Sequence, residues 1–379
     1  MIEKVLIRIF ELIAQGQILS ISDRDCLRRD LLDSYDRFQV LGFKCLRNLD
    51  ADEIDVIVQQ RSQLLRRVYP EISQSLSVHN IQLEPSDVIF PLLWYYWLPL
   101  AQRLANQQQQ MGRSLIQGLL GGQGTGKTTL GIVLSVLLPH LGKTFLRISL
   151  DDLYKTHANR QKLRERRPYL IWRGPPSTHD INLGIQVLQQ LRDRPDSPQP
   201  IAIPRFDKSL HNGSGDRTEP EISYGADIVL FEGWFVGMHP LPISAFRNFI
   251  PPILSEEDRE FALECNAYLY DYLPMWDYLD SLIVLVPEDY NYSLQWRIEA
   301  ERKLFNSRKT GMSDDEVTQF VKYFWKALHP ELFFPRMIAS EDRLLGAPIG
   351  KNLSSDRSLV NLIVEISRSH LPVRIYAKN

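Results

Sequence analysis

The spacing of the hydrophobic positions changes along this chain at about residue 110. Before that point the apolar residues recur at intervals of three and four, as in Ile9, Leu12 and Ile13 and again between Ile54 and Leu65. This spacing predicts amphipathic helices. Beyond that point, short apolar runs alternate with helical segments. The runs predict strands at 114–120, 144–150, 200–205, 227–232 and 281–286, and a late strand near 359–366.

The alternation of strands and helices indicates the class of fold. Apolar strands that are separated by helices form mainly parallel sheets, and helices cover both faces of such sheets. The chain is therefore predicted to contain a helical N-terminal extension at residues 1–110 and a three-layer α/β domain at residues 111–379. We interpret the polar run Gln107–Gln110 as a linker between them.

Three other segments carry local signals. Val88–Leu104 is rich in aromatic residues. It is either a base-stacking platform or a helix that packs against the core, and its mixture of leucine, tryptophan and proline favours packing. Arg205–Glu221 is polar and charged, so we expect an exposed loop. Residues 289–336 are predicted to form long helices, one of which begins at a capping box from Ser313 to Glu316.

The composition is that of a globular protein with a sizeable core. The 379 residues are 44% hydrophobic and 24% charged, and 44 basic residues against 46 acidic ones give a net charge of -2. This balance argues against binding nucleic acid through bulk charge. Three scattered cysteines, the absence of a long apolar run and the absence of a secretory pattern favour a cytoplasmic protein with no membrane partner. The oligomeric state is left open.

A glycine-rich motif, called the phosphate loop below, follows the first predicted strand and precedes an apolar helix. It fits G-x-x-x-x-G-K-[ST], a pattern that binds ATP or GTP phosphates. The motif comprises Gly121, Gly122, Gln123, Gly124, Thr125, Gly126, Lys127 and Thr128. Its glycines let backbone N–H groups point at an anion, and the helix dipole adds positive charge. We expect Lys127 to contact the β- and γ-phosphates, Thr128 to ligate Mg²⁺ and Thr129 to complete the nucleotide site.

Two predicted strands end in acidic residues. Asp151 and Asp152 follow strand 144–150, and Glu232 ends strand 227–232. Ligands of parallel sheets bind at these carboxyl ends. Asp151 is therefore the candidate base that orients an acceptor hydroxyl, Asp152 is a cap or a supporting group, and Glu232 is the candidate Mg²⁺ ligand. The alternatives are that an aspartate only caps the next helix and that Glu232 is a solvated charge.

Basic residues and one histidine follow these strands. We interpret Thr178 as a helix N-cap, which would place His179 and Asp180 at a helix N-terminus facing a small substrate. Arg173 is a candidate for binding a carboxylate in a bidentate manner, and Arg297 is a candidate for stabilising the transferring phosphoryl group. The alternative for each is a structural or solvated side chain. The remaining candidates for the substrate site are Tyr154, Arg205 and Lys208.

Together these motifs resemble the D-glycerate 3-kinase family of plants and cyanobacteria, which groups with uridine kinase-like and phosphoribulokinase-like P-loop kinases. The resemblance spans roughly residues 90–345. The family often has glycine at the position of Ser177 and tyrosine at the position of Phe206. The segments that carry the resemblance are Ser149–Tyr154, Arg173–Asp180, Pro204–Ser209, Gly215–Arg217, Phe231–Trp234, Trp296–Arg297 and Gly311–Val317.

The resemblance implies a P-loop kinase fold for residues 111–379 and an alcohol-group phosphotransferase activity. The implied reaction moves the γ-phosphoryl group of ATP, with Mg²⁺, to the 3-hydroxyl of D-glycerate and gives 3-phosphoglycerate, as in photorespiration. Asp151 and Glu232 match the acceptor-side aspartate and the strand-end glutamate of uridine kinases. The alternatives are a related kinase for a nucleoside or pantothenate, a non-catalytic ATP-binding protein and a nucleic-acid-dependent ATPase.

Overall fold

A six-stranded sheet lies at the centre of the structure, a computed structural model that describes residues 4–34, 41, 50–81, 86–193, 199–308, 311–338 and 359–377. Its strand order is β10-β9-β8-β1-β7-β2, and only β9 and β10 are antiparallel neighbours. The prediction of a mainly parallel sheet is therefore confirmed. The strands are β1 (Leu115–Gly121), β2 (Phe145–Ser149), β7 (Ile228–Gly233), β8 (Ser281–Pro287), β9 (Val360–Ile366) and β10 (Pro372–Tyr376).

Two short antiparallel ladders lie outside this sheet. They pair β3 (Ile201–Ile203) with β6 (Glu221–Ser223), and β4 (Phe206–Asp207) with β5 (Asp216–Arg217). The strand predicted at 200–205 is present as β3, but it lies outside the mainly parallel sheet. Proline cannot donate to a ladder, and prolines flank β3 on both sides. The segment 205–221, predicted to be an exposed loop, contains β4 and β5 and is otherwise mostly exposed.

Helices cover both faces of the sheet. The long helices predicted over residues 289–336 are present as α10 to α12, and the predicted capping box opens α11, where Ser313 and Glu316 cap each other. The helices are α1 (Lys4–Ala14), α2 (Ile21–Asp33), α3 (Ala51–Val78), α4 (Ser86–Leu92), α5 (Leu98–Met111), α6 (Lys127–His140), α7 (His157–Arg166), α8 (Ile181–Arg192), α9 (Glu256–Trp276), α10 (Tyr292–Arg308), α11 (Asp314–Ala327) and α12 (Pro330–Ile338).

Alternate side chains of β1 enter two different cores, as the pleat of a strand requires. Leu115 and Leu119 lie in the core that contains α1 to α6, whereas Ile116 and Leu120 lie in the core that contains α8, α9 and α11. The N-terminal helices therefore form part of one outer layer together with α6, the helix that follows the phosphate loop. The division of the chain at residue 110 stays a prediction, because these helices and the sheet share a core.

The aromatic segment is core rather than a binding platform. Trp94 is fully buried, and its ring centroid lies 5.1 Å from that of Phe10. A π-helical turn, Leu93–Trp97, joins α4 to α5 and is buried throughout. The interpretation of Gln107–Gln110 as a linker is wrong, since these residues form the last turn of α5.

Candidate active site

The phosphate loop connects the end of β1 to the start of α6, as the motif requires. Gly124 and Gly126 have φ angles of 80° and 88°, a region that glycine enters without steric cost. The ammonium of Lys127 donates hydrogen bonds to the carbonyl oxygens of Gly121 (2.7 Å) and Gly122 (2.8 Å). Burial lowers the pKa of Lys127, and the carboxylates of Glu232 and Asp151 act against that shift.

The acidic residues lie on the same side of the sheet as this loop, because β7 neighbours β1 and β2 is the next strand beyond β7. Glu232 on β7 pairs in register with Leu119 of β1 on one side and with Ser149 of β2 on the other. It is only 3% exposed, and its Oε1 accepts a 2.8 Å hydrogen bond from Nε of Arg147. The sheet thus presents a buried carboxylate next to the phosphate loop.

The two aspartates after β2 have different surroundings. A 3₁₀ turn, Leu150–Leu153, follows the strand, and Asp152 caps it by accepting a 2.9 Å hydrogen bond from the backbone N–H of Ser149. Asp152 also pairs with Arg205 at 3.1 Å. The prediction of a capping role for Asp152 is confirmed.

Asp151 points into the cavity and has two polar partners there. Its Oδ2 lies 2.6 Å from Nζ of Lys208, and its Oδ1 accepts a 2.8 Å hydrogen bond from the hydroxyl of Tyr154. Burial acts to raise the pKa of Asp151, but the Lys208 ammonium and the Tyr154 hydroxyl outweigh it, so the pKa lies below its ordinary value. A carboxylate with a lowered pKa is ionised at neutral pH and can accept a proton.

His179 and Asp180 lie behind this layer and do not line the cavity, so the expectation that they contact a substrate is corrected. His179 is 1% exposed, stacks on the Tyr154 ring at 4.6 Å and places Nδ1 2.8 Å from the hydroxyl of Tyr272. Burial lowers its pKa to about 3, so the imidazole is neutral. Asp180 caps α8 and pairs with Arg217 at 2.9 Å.

The interpretation of Thr178 as a helix N-cap is wrong, because Asp180 is the N-cap of α8. The Thr178 hydroxyl donates to the carbonyl of Pro175 at 2.7 Å and accepts from the backbone N–H of Gly174. It closes the preceding turn, and Asp180 is the residue that accepts from the backbone N–H of Leu183 inside the helix.

The predicted basic residues line the same cavity but differ in what they contact. Nη1 of Arg173 donates to the carbonyl of Gly213 at 2.7 Å. Arg205 pairs with Asp152 and, at 2.7 Å, with Glu221, so we assign it to holding the strand ends together instead of to the substrate.

Arg297 lines the cavity from α10. It pairs with Glu301 one turn further along the helix at 2.5 Å, and its guanidinium lies 5.5 Å from the centroid of the Phe320 ring. These contacts hold the positive charge of Arg297 on the part of the cavity wall that α10 and α11 form.

One cavity of about 990 Å³ brings the phosphate loop, the strand-end acids and these cations together. A volume of this order accommodates a nucleotide together with a small acceptor. The sequence-predicted residues that line it are Gly122, Gln123, Gly124, Thr125, Lys127, Thr128, Asp151, Asp152, Tyr154, Arg173, Arg205, Lys208, Glu232 and Arg297.

Arg147 also lines this cavity and was missed by the sequence reasoning. It lies in the middle of β2, and Nη2 of its guanidinium contacts both the Glu232 carboxylate and, at 3.4 Å, the Thr128 hydroxyl. The available signal was a charged residue inside an otherwise apolar strand next to a predicted acidic strand end.

This topology has a phosphate loop after β1 and acids at the ends of β7, which neighbours β1, and of β2, the next strand beyond β7. It places the chain in the class of P-loop kinases. A scan against protein-family profiles finds no match. The chain is 28% identical over 331 residues to the chloroplastic D-glycerate 3-kinase of Arabidopsis thaliana, covering 83% of this chain and 66% of the relative. It is 30% identical over 253 residues to a probable ATP-dependent kinase of Saccharomyces cerevisiae, covering 63% of this chain and 84% of the relative.

Among solved structures the fold is similar to that of D-glycerate 3-kinase from Cryptococcus neoformans. The TM-score is 0.61 at 28% identity, and the match covers 74% of this chain and 97% of the other. The chain belongs to the family of ATP-dependent kinases that contains these proteins. No helix among the described residues has the length and apolar character needed to cross a membrane. The cytoplasmic location stays a prediction.

Proposed function

We propose that this kinase transfers the γ-phosphoryl group of ATP to the 3-hydroxyl of D-glycerate and releases 3-phosphoglycerate and ADP. The observation that carries the proposal is the placement of Asp151, held by Lys208 and Tyr154, in the same cavity as Lys127. The plant and fungal relatives named D-glycerate 3-kinase support the choice of acceptor.

Asp151 is the group that acts on the acceptor. An ionised carboxylate orients an alcohol by accepting its hydrogen bond, and it takes the proton as the new O–P bond forms. Tyr154 and Lys208 hold the two oxygens of Asp151 at 2.8 and 2.6 Å, which fixes the direction of the carboxylate. Phosphoryl transfer needs little covalent work from the protein, so this positioning is the main contribution of the acceptor side.

Arg173 is assigned to binding the carboxylate of the acceptor, and Lys208 is the second cation near it. Both side chains line the cavity close to Asp151, whereas the neutral and buried His179 cannot supply a charge. A guanidinium matches a carboxylate in a bidentate geometry. The Arg173 guanidinium also lies 5.6 Å from the centroid of the Phe206 ring, which limits its freedom.

Lys127 and the loop amides are assigned to the nucleotide phosphates. In this structure the Lys127 ammonium is held by the loop's own carbonyls at 2.7 and 2.8 Å. A triphosphate would compete for that ammonium with a much larger charge, while the loop amides bind the remaining oxygens. Arg297, which lines the same cavity from α10, is assigned to stabilising the charge that develops on the transferring group.

The side chains of Thr128 and Glu232 are suitable ligands for a Mg²⁺ ion. Mg²⁺ prefers oxygen ligands, and the Thr128 hydroxyl and the Glu232 carboxylate already converge on one cationic group, Nη2 of Arg147. Thr128 and Glu232 would hold the ion, directly or through water. When bound, it would neutralise phosphate charge.

A coupled assay for ADP formation tests the proposal. D-glycerate, L-glycerate, uridine and pantothenate are supplied in parallel with ATP and Mg²⁺, and the product is identified as 3-phosphoglycerate by its own coupling enzyme. Turnover with D-glycerate alone supports the proposal, and turnover with a different acceptor assigns the site to that acceptor. Nucleotide binding with no turnover on any acceptor would favour a non-catalytic role. Asp151→Asn serves as the matched control for background ATPase activity.

A further inference from the structure

A single nitrogen atom bridges the two groups assigned to the metal. Nη2 of Arg147 contacts Oε1 of Glu232 and lies 3.4 Å from Oγ1 of Thr128, while Nε of the same guanidinium donates to the same Glu232 oxygen at 2.8 Å. Arg147 therefore engages one oxygen of the carboxylate with two donors. A positive charge lies between the phosphate loop and the end of β7.

The fold reserves space for this side chain. Arg147 pairs with Leu230 in register, two residues before the Ser149–Glu232 pair, so it reaches Glu232 along the sheet. Its stem crosses α6 at Gly131, where an added Cβ would lie 2.9 Å from Cδ of Arg147. Its backbone carbonyl accepts two 3.3 Å hydrogen bonds from Arg205, which fixes this part of β2.

We propose that Arg147 is a positioning residue that supplies the positive charge between Thr128 and Glu232 when no metal ion is bound, and that a metal–nucleotide complex displaces it from that place. The inference rests on the proposed use of Mg²⁺. Two like charges cannot share one small polar space without repulsion. If Thr128 and Glu232 held an ion, Nη2 of Arg147, which contacts both side chains, would have to move away.

Two opposite effects on nucleotide binding follow. Without metal, the Arg147 charge adds to that of Lys127 and attracts the nucleotide phosphates. With metal, the same charge opposes the arriving ion. Removing the charge should therefore weaken metal-free binding and leave metal-bound binding equal or stronger. The quantity that isolates Arg147 is the ratio of the Kd for ADP in EDTA to the Kd for ADP in Mg²⁺.

The experiment measures this ratio by calorimetry for the wild type and for Arg147→Gln, Arg147→Lys and Gly131→Ala. We expect the ratio to rise about tenfold in Arg147→Gln, the scale of one charge-assisted hydrogen bond, and to change less in Arg147→Lys. Gly131→Ala keeps the charge but pushes the stem aside, and should move the ratio in the same direction. Arg28→Gln, which removes a surface ion pair with Asp55 far along the chain, is the control and should leave the ratio unchanged.

The possible results distinguish the assignment of the metal site from the role of Arg147. A wild-type ratio near one would overturn both the metal assignment and the role of Arg147. A wild-type ratio well above one that does not change in Arg147→Gln and Gly131→Ala would overturn the role of Arg147 alone. A ratio that falls in Arg147→Gln would also overturn it, since Arg147 would then be needed to hold Glu232 for the metal.

Discussion

Lys208 and Asp151 are 57 positions apart in the chain, and their charged atoms lie 2.6 Å apart. Lys208 comes from the exposed segment between β4 and β5, whereas Asp151 belongs to the turn that follows β2. The segment thus reaches the proposed base with a cation, and its position determines both the charge and the direction of the Asp151 carboxylate.

Lys208→Met should lower kcat/KM for the acceptor and move the acid limb of its pH profile to higher pH. The Lys208 ammonium lowers the pKa of Asp151, so its removal raises that pKa and the base protonates at a higher pH than in the wild type. Lys208→Arg keeps the charge and should keep the acid limb in place. An acid limb that does not move in Lys208→Met would show that this pair does not govern the titration.

Asp151→Asn should lower kcat by roughly 100- to 10,000-fold, the range for loss of a general base, while the Kd for ADP stays within about twofold. Asp152→Ala should act mainly on stability, because Asp152 caps the turn at the Ser149 backbone. Loss of such a cap costs about 1 kcal/mol. Steady-state kinetics and chemical unfolding of both variants check the division of roles. A larger loss of kcat in Asp152→Ala would reverse the assignment.

Gly124→Ala should disable the phosphate loop. Gly124 has φ of 80°, and an added Cβ would lie 2.5 Å from a ring carbon of Trp296 and 2.8 Å from its Cβ. The loop has to shift, and misplacement of a catalytic group by about 1 Å can cost on the order of 100-fold in rate. Gly142→Ala has a similar φ of 71° with nothing within 4 Å, so it carries only the backbone strain of about 1 kcal/mol. Equal kinetics in the two variants would contradict the steric argument.

Ser177→Gly should stabilise the protein by about 1 kcal/mol, the scale of the left-handed penalty for a residue with a Cβ. Ser177 has φ of 84°, is 6% exposed, and its hydroxyl has no hydrogen-bond partner among the described residues. Ser177→Ala removes only the hydroxyl and separates that contribution from the strain. Urea unfolding measures both, and a destabilised Ser177→Gly would show that the backbone accommodates serine without strain.

Trp94→Ala should lower the free energy of unfolding by about 3–5 kcal/mol, the range for truncating a buried aromatic side chain. Trp94 is fully buried in the core that the N-terminal helices share with β1. We expect one transition by circular dichroism and by tryptophan fluorescence, since the core is continuous. Two separate transitions would instead show that the N-terminal helices unfold as a domain of their own.

The sequence predicts local features of this fold well because they depend on local spacing. The strands that form the centre of the sheet lie within one or two residues of their predicted bounds, and the phosphate loop and the Ser313 capping box are set by neighbouring residues. The pairing of β3 outside the mainly parallel sheet was not predicted, because it depends on β6, twenty residues away, and on the prolines that flank β3. Strand order is likewise a long-range property that local periodicity does not contain.

The candidate site likewise contains some residues that the local sequence predicts and others that only tertiary packing places. Asp151 and Glu232 were predictable because each ends an apolar strand. His179 was misjudged because its residue type suggests chemistry, whereas its burial against Tyr154 and Tyr272 is decided by tertiary packing. Arg147 was missed because only the register of β2 against β7 brings it to Glu232.

The hairpin formed by β9 and β10 is synthesised long after the phosphate loop that it contacts. Nδ1 of His370 donates a 2.7 Å hydrogen bond to the carbonyl of Gly124, 246 positions earlier in the chain, and its ring stacks on Trp296 at 4.6 Å. At about 5–20 residues per second, the ribosome takes roughly 10–50 s to make the intervening chain. The phosphate loop therefore leaves the ribosome well before His370 does. The contacts of His370 with Gly124 and Trp296 can form only after the hairpin of β9 and β10 has been synthesised.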